Sequence, residues 1–340
     1  RPPEVWLAAG NSNQRQLQDG LEYLFVTQRP SLVVFDQNRR SSVEGLINAI
    51  RAQSDVKIVA LPVSPFINYN VMRSRFLTSS RGRKFVEHHD YSCFDAVALV
   101  DDLWLNEYAD MMRSSGHINS LEGRTQVLGS LRYCREWLKF RQSNVVPISD
   151  NEYELWPKDD SKIRLLFLLS NPLSNADINE VNIALQMVAA RSEFSVVVKP
   201  HTRVGDLGGI EIPKGVRVDH ESDTSRLIAG SELILFWSTS AACEGYASGK
   251  FMACLAYLSS NLNSYARFNA GYIAHSRDDL ERLLLLFPAR REELAYNSTG
   301  AISFVFHVLE GGSSGSVKTR YLRFLGDCAS GSSEEWHGSF

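Results

Sequence analysis

The sequence lacks the features that mark several large protein classes. It has no apolar run near the roughly 20 residues that a membrane-spanning helix needs, and its longest run, around 283–287, lies beside charged residues. Its five cysteines are odd in number and scattered, without a CxxC pair of the kind that binds zinc. The sequence therefore predicts a soluble chain with buried free thiols in a reducing compartment.

A large charge of one sign is also missing. The 36 Lys and Arg residues against 39 Asp and Glu residues give a formal charge of −3. No global basic field exists, so we predict no nucleic-acid partner. With 11 Pro and 22 Gly among 340 residues, of which 44% are hydrophobic, the composition excludes collagen-like and largely disordered chains. The length fits two domains.

What the sequence does contain is an alternation of short, β-branched apolar runs with longer segments of helical period, which is typical of parallel α/β units. The strand-like runs lie at 5–10, 31–36, 57–63, 94–100 and 126–130, and again at 162–170, 194–200, 216–220, 232–238, 251–258 and 271–275. The periodicity is lost from 142 to 161, where Pro147 and Pro157 lie.

This pattern predicts an α/β fold of two Rossmann-like domains whose parallel sheets face each other across a cleft. The predicted units are an N-terminal domain over 1–145, a linker over 146–161, a C-terminal domain over 162–326 and a flexible tail over 327–340. Such a pair of domains would bind a ligand in the cleft, beyond the carboxyl ends of the strands.

The most informative segment is VVVKPHTR at 196–203, in which a strand ends directly in polar and cationic residues. Lys199 and Arg203 would supply charge to a phosphate, and His201 would donate a hydrogen bond to a phosphate or sugar oxygen. A solvated turn with its cations in water explains the same residues equally well.

A second segment, ILFWSTSAACEGYASGK at 234–250, runs from a strand through three hydroxyl residues into a helix. Ser238, Thr239 and Ser240 would bind a phosphate together with the first backbone amides of the helix, or would serve only as helix caps. Glu244 would accept hydrogen bonds from a ribose or sugar hydroxyl, or would stabilise the helix dipole.

These two segments, about 40 residues apart and followed by a Gly-Lys turn, resemble the C-terminal nucleotide-binding domain of GT-B glycosyltransferases. The KPHT and STS sequences are similar to motifs of bacterial surface-polysaccharide enzymes with cytidine-nucleotide donors: Kdo transferases, sialyltransferases and CDP-glycerol glycerophosphotransferases. LPVSPFINYN at 61–70 and VLGSLRYCREW at 127–137 resemble the N-terminal half of such proteins. Two positions depart from the pattern: Thr202 replaces the usual Pro after His, and Val63-Ser64 stands where many relatives have His-Gly.

The resemblance implies a metal-independent GT-B glycosyltransferase without a cofactor, which moves Kdo from CMP-Kdo onto a growing lipopolysaccharide O-antigen or capsule. Its partners would be a nucleotide-sugar donor and a glycan or glycolipid acceptor. Its location would be the cytoplasm, with peripheral association at the inner face of the cytoplasmic membrane. The alternatives are a CDP-glycerol or ribitol-type phosphotransferase, a sugar-nucleotide epimerase, and a non-enzymatic nucleotide- or glycan-binding module of the same fold.

Because no histidine stands at 63–64, we expect the catalytic group to be an acidic residue at a strand end in the N-terminal half. Asp36 follows LVVF, and Asp101 and Asp102 follow VALV. Such a carboxylate would deprotonate an acceptor hydroxyl or attack the anomeric carbon. Each of the three could instead cap a helix or lie in its first turn.

Other polar and cationic residues near strand ends are candidate acceptor contacts, with solvent exposure as the alternative. They are Asn11, Arg39, Arg40, Asn68 and Asn70, with Arg73 and Arg75 as further cations for an acidic sugar or lipid phosphate. His88-His89 has no partner at metal-binding spacing, and no DxD motif follows a strand. We therefore predict that no metal is required.

Overall fold

The computed structural model describes most of the chain from the second predicted strand onward. The described residues are 27–36, 46–51, 55–62, 91–114, 121–144, 161–171, 175–201 and 207–331, with the single positions 20, 23, 64, 65, 67, 68, 77, 116 and 156. The strand predicted at 5–10 lies outside them. Two parallel sheets with helices against them confirm the predicted α/β fold class.

The first sheet belongs to the N-terminal half of the chain and has four parallel strands in the order β1-β2-β3-β4. They are β1 (Leu32–Asp36), β2 (Lys57–Leu61), β3 (Ala96–Leu99) and β4 (Thr125–Val127), and the helices α1 (Asp102–Ser114) and α2 (Arg135–Asn144) follow β3 and β4. All residues of β3 are buried. Trp104 and Tyr108 of α1 stack at 5.4 Å in the core beside this strand, which fixes where β3 ends and α1 begins.

The second sheet belongs to the C-terminal half and has six parallel strands in the order β10-β9-β8-β5-β6-β7. Its strands are β5 (Ile163–Leu168), β6 (Phe194–Lys199), β7 (Arg217–Val218), β8 (Leu233–Phe236), β9 (Phe251–Leu255) and β10 (Tyr272–Ala274). From β5 the chain adds β6 and β7 on one side of the sheet, and it then adds β8 on the other side of β5. Open α/β sheets bind ligands beyond the carboxyl ends of the strands at such a reversal.

Helices cover both faces of the second sheet. They are α3 (Ile178–Ala189), α4 (Thr224–Gly230), α5 (Ala242–Ala247), α6 (Ser264–Arg267), α7 (Arg277–Leu286) and α8 (Ser298–Phe304), which continues into a π-helical turn over Val305–Leu309. Residues of α3 and α7 share one apolar cluster, and residues of α4, α5 and α8 share the other. Side-chain oxygens of Asp177 and Ser276 cap α3 and α7, as their sequences indicate.

The last helix, α9 (Val317–Ser330), returns to the first sheet. Its buried residues Val317, Tyr321, Phe324 and Cys328 share a core with Val59, Ala96, Ala98 and Leu128. The tail predicted over 327–340 overlaps the last turn of this helix, and residues 332–340 lie outside the described part. The predicted linker is described only at Trp156 and Ser161, so the domain boundaries stay predictions.

The two halves contact each other directly through their backbones. The Ser130 amide donates to the Leu309 carbonyl oxygen at 2.7 Å, and the Ser264 amide donates to the Ile67 carbonyl oxygen at 2.9 Å. Gly129, with φ of +88°, leaves no room for a side chain, since a Cβ there would lie 2.9 Å from the Leu309 oxygen. The close backbone contact between the two halves at this point therefore requires glycine at position 129.

The described residues test, in part, the predictions about free cysteines and about membrane-spanning helices. The structure describes all five cysteines; no disulfide joins them, and Cys134, Cys243, Cys254 and Cys328 are buried. None of the described helices has both the length and the apolar character needed to cross a membrane.

Candidate functional site

The reversal point of the second sheet brings together two strand ends that are distant in the sequence. The Ser238 amide, after β8, donates to the Ser170 hydroxyl, after β5, at 2.9 Å. Ser170 is fully buried, so this bond ties the two strand ends together. The Ser238 hydroxyl oxygen is shielded from solvent and has no hydrogen-bond partner among the described residues. The predicted STS segment thus lies at the carboxyl edge of the sheet, beside a serine that sequence reasoning missed.

The helix after this segment is short. α5 has only six residues, and its N-cap, Ala241, provides no side-chain cap. Thr239 supplies its hydroxyl oxygen to the Ala241 amide at 3.3 Å, and its carbonyl oxygen accepts from the Tyr265 hydroxyl at 2.8 Å. The first backbone amides of this six-residue helix are the groups that the sequence predicts for phosphate binding, and a helix this short adds only a small dipole to them. Of the hydroxyls in this segment, that of Ser238 has no hydrogen-bond partner among the described residues.

Lys199 is turned into the protein rather than toward a ligand. Its ammonium donates to the carbonyl oxygens of His220 at 3.0 Å and Ser222 at 2.7 Å, and only 5% of the residue is exposed. Burial lowers the pKa of Lys199, while the neighbouring carboxylates of Asp219 and Asp223 oppose that change. The KPH sequence predicts a cation that binds a phosphate. Lys199, at the end of β6, instead binds carbonyl oxygens of the loop that follows β7.

The other residues of that segment are described in part. His201 follows β6 and is half-buried, whereas Arg203 lies outside the described residues. Their predicted roles in phosphate binding stay predictions.

Glu244 lies in the first turn of α5, as predicted, and is buried. Burial raises the pKa of its carboxyl, and the cationic Arg141 lowers it. Arg141 belongs to α2 of the N-terminal half, and its Nη1 lies 3.6 Å from Glu244 Oε2. The carboxylate therefore stands where the two halves of the chain meet.

The three candidate catalytic carboxylates have different surroundings. Asp36 ends strand β1 and is half-buried, and Asp102 is exposed in the first turn of α1. Asp101 is only 2% exposed, and its Oδ1 accepts from the Trp104 amide at 3.1 Å, which caps α1. Burial raises the pKa of the Asp101 carboxyl to about 7. Of the three, Asp101 alone is buried, and a carboxyl with a pKa near neutrality suits a general base.

Asp101 faces the C-terminal half of the chain. Its carboxyl interacts electrostatically with Arg267 at the end of α6 and with the Cys243 thiol in α5. The nearby Tyr133 is buried, and its hydroxyl lies within hydrogen-bonding reach of Ser240. The end of β3 and the STS segment therefore border the same contact between the two halves.

The acceptor candidates lie mostly outside the described residues. Those not described are Asn11, Arg39, Arg40, Asn70, Arg73 and Arg75, together with His88-His89. Asn68 pairs with Asn263 in an antiparallel bridge between the halves. Its side-chain oxygen is shielded from solvent without a hydrogen-bond partner in the described part of the chain.

A polar groove with a volume of about 680 Å³ lies at the same edge of the second sheet, between the segments that follow β5 and β9. Its lining includes Asn175, Asp177, Asn179, Tyr257, Ser259 and Ser260. These amide, hydroxyl and carboxylate groups can hydrogen-bond sugar hydroxyls, and the described residues that line the groove include no Lys or Arg. Sequence reasoning missed the groove because it forms from loops about 80 residues apart. Across the described residues, no three His, Cys, Asp or Glu side chains cluster to hold a metal.

Comparison with known proteins identifies the fold. No family model and no curated protein sequence matches the chain. Among solved structures, the UDP-GlcNAc 2-epimerase from Neisseria meningitidis bound to UDP-GlcNAc is similar, with a TM-score of 0.55 at 12% identity over 92% of this chain and 80% of that one.

Two further solved structures are similar to a comparable degree. The S. aureus MnaA–UDP structure has a TM-score of 0.54 at 12% identity over 92% of this chain and 80% of that one. Arabidopsis thaliana UGT89C1 complexed with UDP has a TM-score of 0.53 at 10% identity over 96% and 80%. The two sheets of this chain are thus arranged as in the GT-B fold.

Proposed function

We propose that the chain is an enzyme that acts on a nucleotide sugar, and that it transfers the sugar to an acceptor hydroxyl. The observation that carries this proposal is Asp101, a buried carboxyl with a pKa of about 7 at the end of β3, which interacts electrostatically with Arg267 and the Cys243 thiol of the C-terminal half. The solved structures of UDP and UDP-GlcNAc complexes with the same fold support a nucleotide-sugar ligand.

In this proposal Asp101 is the general base. Its carboxylate takes the proton of the acceptor hydroxyl, the acceptor oxygen forms a bond to the anomeric carbon, and the nucleotide leaves with the electrons of the broken carbon–oxygen bond. The hydroxyls of Ser238 and Ser240 donate to the departing phosphate, on which negative charge develops. Glu244 accepts hydrogen bonds from the ribose. This scheme balances protons and charge without a metal.

Kdo, supplied as CMP-Kdo, is the donor that we propose from the KPHT and STS motifs, with CDP-glycerol or CDP-ribitol as the next candidate. We expect CMP and CDP to raise the melting temperature more than UDP or GDP at equal concentration. A ligand that binds only the folded state stabilises it by about 2.7 kcal/mol at 100 times its Kd. Thermal unfolding with each nucleotide measures the difference. Equal shifts, or a preference for UDP, would contradict the cytidine donor and leave the nucleotide site in place.

A sugar-nucleotide epimerase is the second candidate, and the similarity to the Neisseria meningitidis epimerase structure favours it. An epimerase needs no acceptor. Conversion of a UDP-sugar incubated alone with the protein would therefore support the epimerase and contradict the transferase. Nucleotide binding without turnover on a broad acceptor panel would instead indicate a binding module. A glycan or glycolipid acceptor and peripheral membrane association remain parts of the transferase proposal.

Two residues next to the ligand edge provide a separate test. We expect His201→Ala and Ser240→Ala each to reduce turnover by about 10- to 100-fold, the effect of losing one hydrogen bond that is made mainly in the transition state. Neither residue belongs to an apolar core cluster, so His201→Ala should change the melting temperature little, whereas Ser240→Ala also removes the hydroxyl beside the buried Tyr133 and should lower it. Steady-state kinetics and thermal unfolding of both variants measure this, and unchanged kinetics would remove that residue from the site.

A further inference from the structure

One arginine of the N-terminal half lies between two acidic residues of the C-terminal half. Arg141, in the last turn of α2, uses Nη2 to donate to both carboxylate oxygens of Asp223, at 3.0 and 2.9 Å. Its Nη1 lies 3.6 Å from Glu244 Oε2. Asp223 is itself fixed, because its Oδ1 accepts from the Ser225 amide at 2.7 Å and caps α4. Arg141 therefore links α2 to both α4 and α5.

The surroundings of Glu244 show what this arginine does electrostatically. Burial and the neighbouring Asp223 raise the pKa of the Glu244 carboxyl. The Ser225 hydroxyl, Arg141 and Arg132 lower it, and Arg141 has the larger effect of the two cations. A buried carboxylate needs such compensation to stay ionised near neutral pH. Without Arg141, Glu244 would become protonated at a higher pH.

We propose that Arg141 is a positioning residue of the nucleotide site: it holds the Glu244 carboxylate ionised and oriented to accept hydrogen bonds from the two ribose hydroxyls of the donor. The inference rests on the proposed function, in which Glu244 binds the ribose. An ionised carboxylate accepts two hydroxyl donors, whereas a protonated one loses part of that capacity. Because Arg141 comes from the other half of the chain, recognition of the ribose depends on the contact between the halves.

A second arginine of the same helix offers a matched control. Arg135, in the first turn of α2, pairs with Glu310 of the C-terminal half at 2.7 Å. It also bridges the two halves, but it does not contact Glu244. Arg135→Gln therefore weakens the contact between the halves without acting on the proposed ribose acceptor.

The experiment measures the affinity of the full chain for UDP and CMP, and for the analogue of each that lacks both ribose hydroxyls, by titration calorimetry. We expect the wild type to prefer the natural nucleotide by about 10-fold or more, the size of a charge-assisted hydrogen bond. Arg141→Gln should lose most of this preference, Arg141→Lys should lose part of it, and Arg135→Gln should keep it. The wild-type preference should also fall at acidic pH, and in Arg141→Gln that fall should begin at a higher pH.

The possible failures are distinguishable. A full preference for the natural nucleotide in Arg141→Gln would overturn the inference and leave the nucleotide site intact. An equal loss in Arg135→Gln would also overturn it, since the effect would then come from the contact between the halves. If Arg141→Gln does not fold, an undiminished preference in Arg141→Lys overturns it. If the wild type binds neither nucleotide, the proposed function itself fails.

Discussion

An Asp101→Asn variant is expected to lose turnover by about 100- to 10,000-fold, the range that general-base catalysis provides. Asparagine can still accept the Trp104 amide hydrogen bond that caps α1, so the fold should persist while the proton acceptor is lost. Steady-state kinetics and nucleotide affinity together measure this. Donor binding should survive the change, because the carboxylate acts on the acceptor.

The neighbouring residue is the control for this prediction. Asp102 is exposed in the first turn of α1, and Asp102→Asn should retain near-normal turnover. If Asp101→Asn is also active, the base lies elsewhere. The reaction rate of the wild type should rise with pH through about 7, where the Asp101 carboxyl loses its proton; a rate that falls over this range would contradict a role as base.

The pKa of Asp101 also makes a prediction about stability. In the unfolded chain this carboxyl titrates near 3.8, and in the folded protein it titrates near 7. The folded state therefore binds the proton more tightly, and the free energy of unfolding should fall as the pH rises from about 4 to about 7. Asp101→Asn removes this dependence. The melting temperature of the variant relative to that of the wild type should therefore be higher at alkaline pH than at acidic pH.

Phe324→Ala is expected to have the largest effect on stability, a loss of about 3–5 kcal/mol in the free energy of unfolding. Phe324 is 1% exposed and belongs to the core that α9 forms with the first sheet. Its removal leaves a cavity between the last helix of the chain and β2 and β3. Urea unfolding followed by circular dichroism gives the free energy directly.

A residue of the same helix serves as the control. Leu322 is 61% exposed, and Leu322→Ala should change the free energy of unfolding by no more than about 0.5 kcal/mol. A loss below about 1 kcal/mol for Phe324→Ala would mean that α9 is not docked on the first sheet in solution.

Much of the fold is predictable from the sequence because it depends on local pattern. Strands β3 and β8 consist only of apolar residues, β5 and β6 are mostly apolar, and each lies within one of the predicted runs. Runs of this kind belong to parallel strands buried on both faces. The order of runs and helical segments then defines two sheets of parallel strands, as the structure has them.

The sheet against which α9 packs is not predictable in the same way. An amphipathic pattern shows that α9 has an apolar face, but both sheets offer apolar surfaces to cover it. The structure places that face on the first sheet, although the preceding helix packs on the second. Long-range packing, which has no local signature, decides between the two.

By itself, the sequence determined the α/β class, the parallel sheets and the polar residues at the strand ends, since periodicity and turn residues act over a few positions. The tertiary structure decided which of these residues the site can use. It buried Asp101 and exposed Asp102, turned Lys199 toward carbonyl oxygens, and joined Arg141 to an acidic partner 82 residues away. Burial and charge pairing depend on neighbours brought together by folding, and the adjacent residues Asp101 and Asp102 differ in burial although they are of the same type.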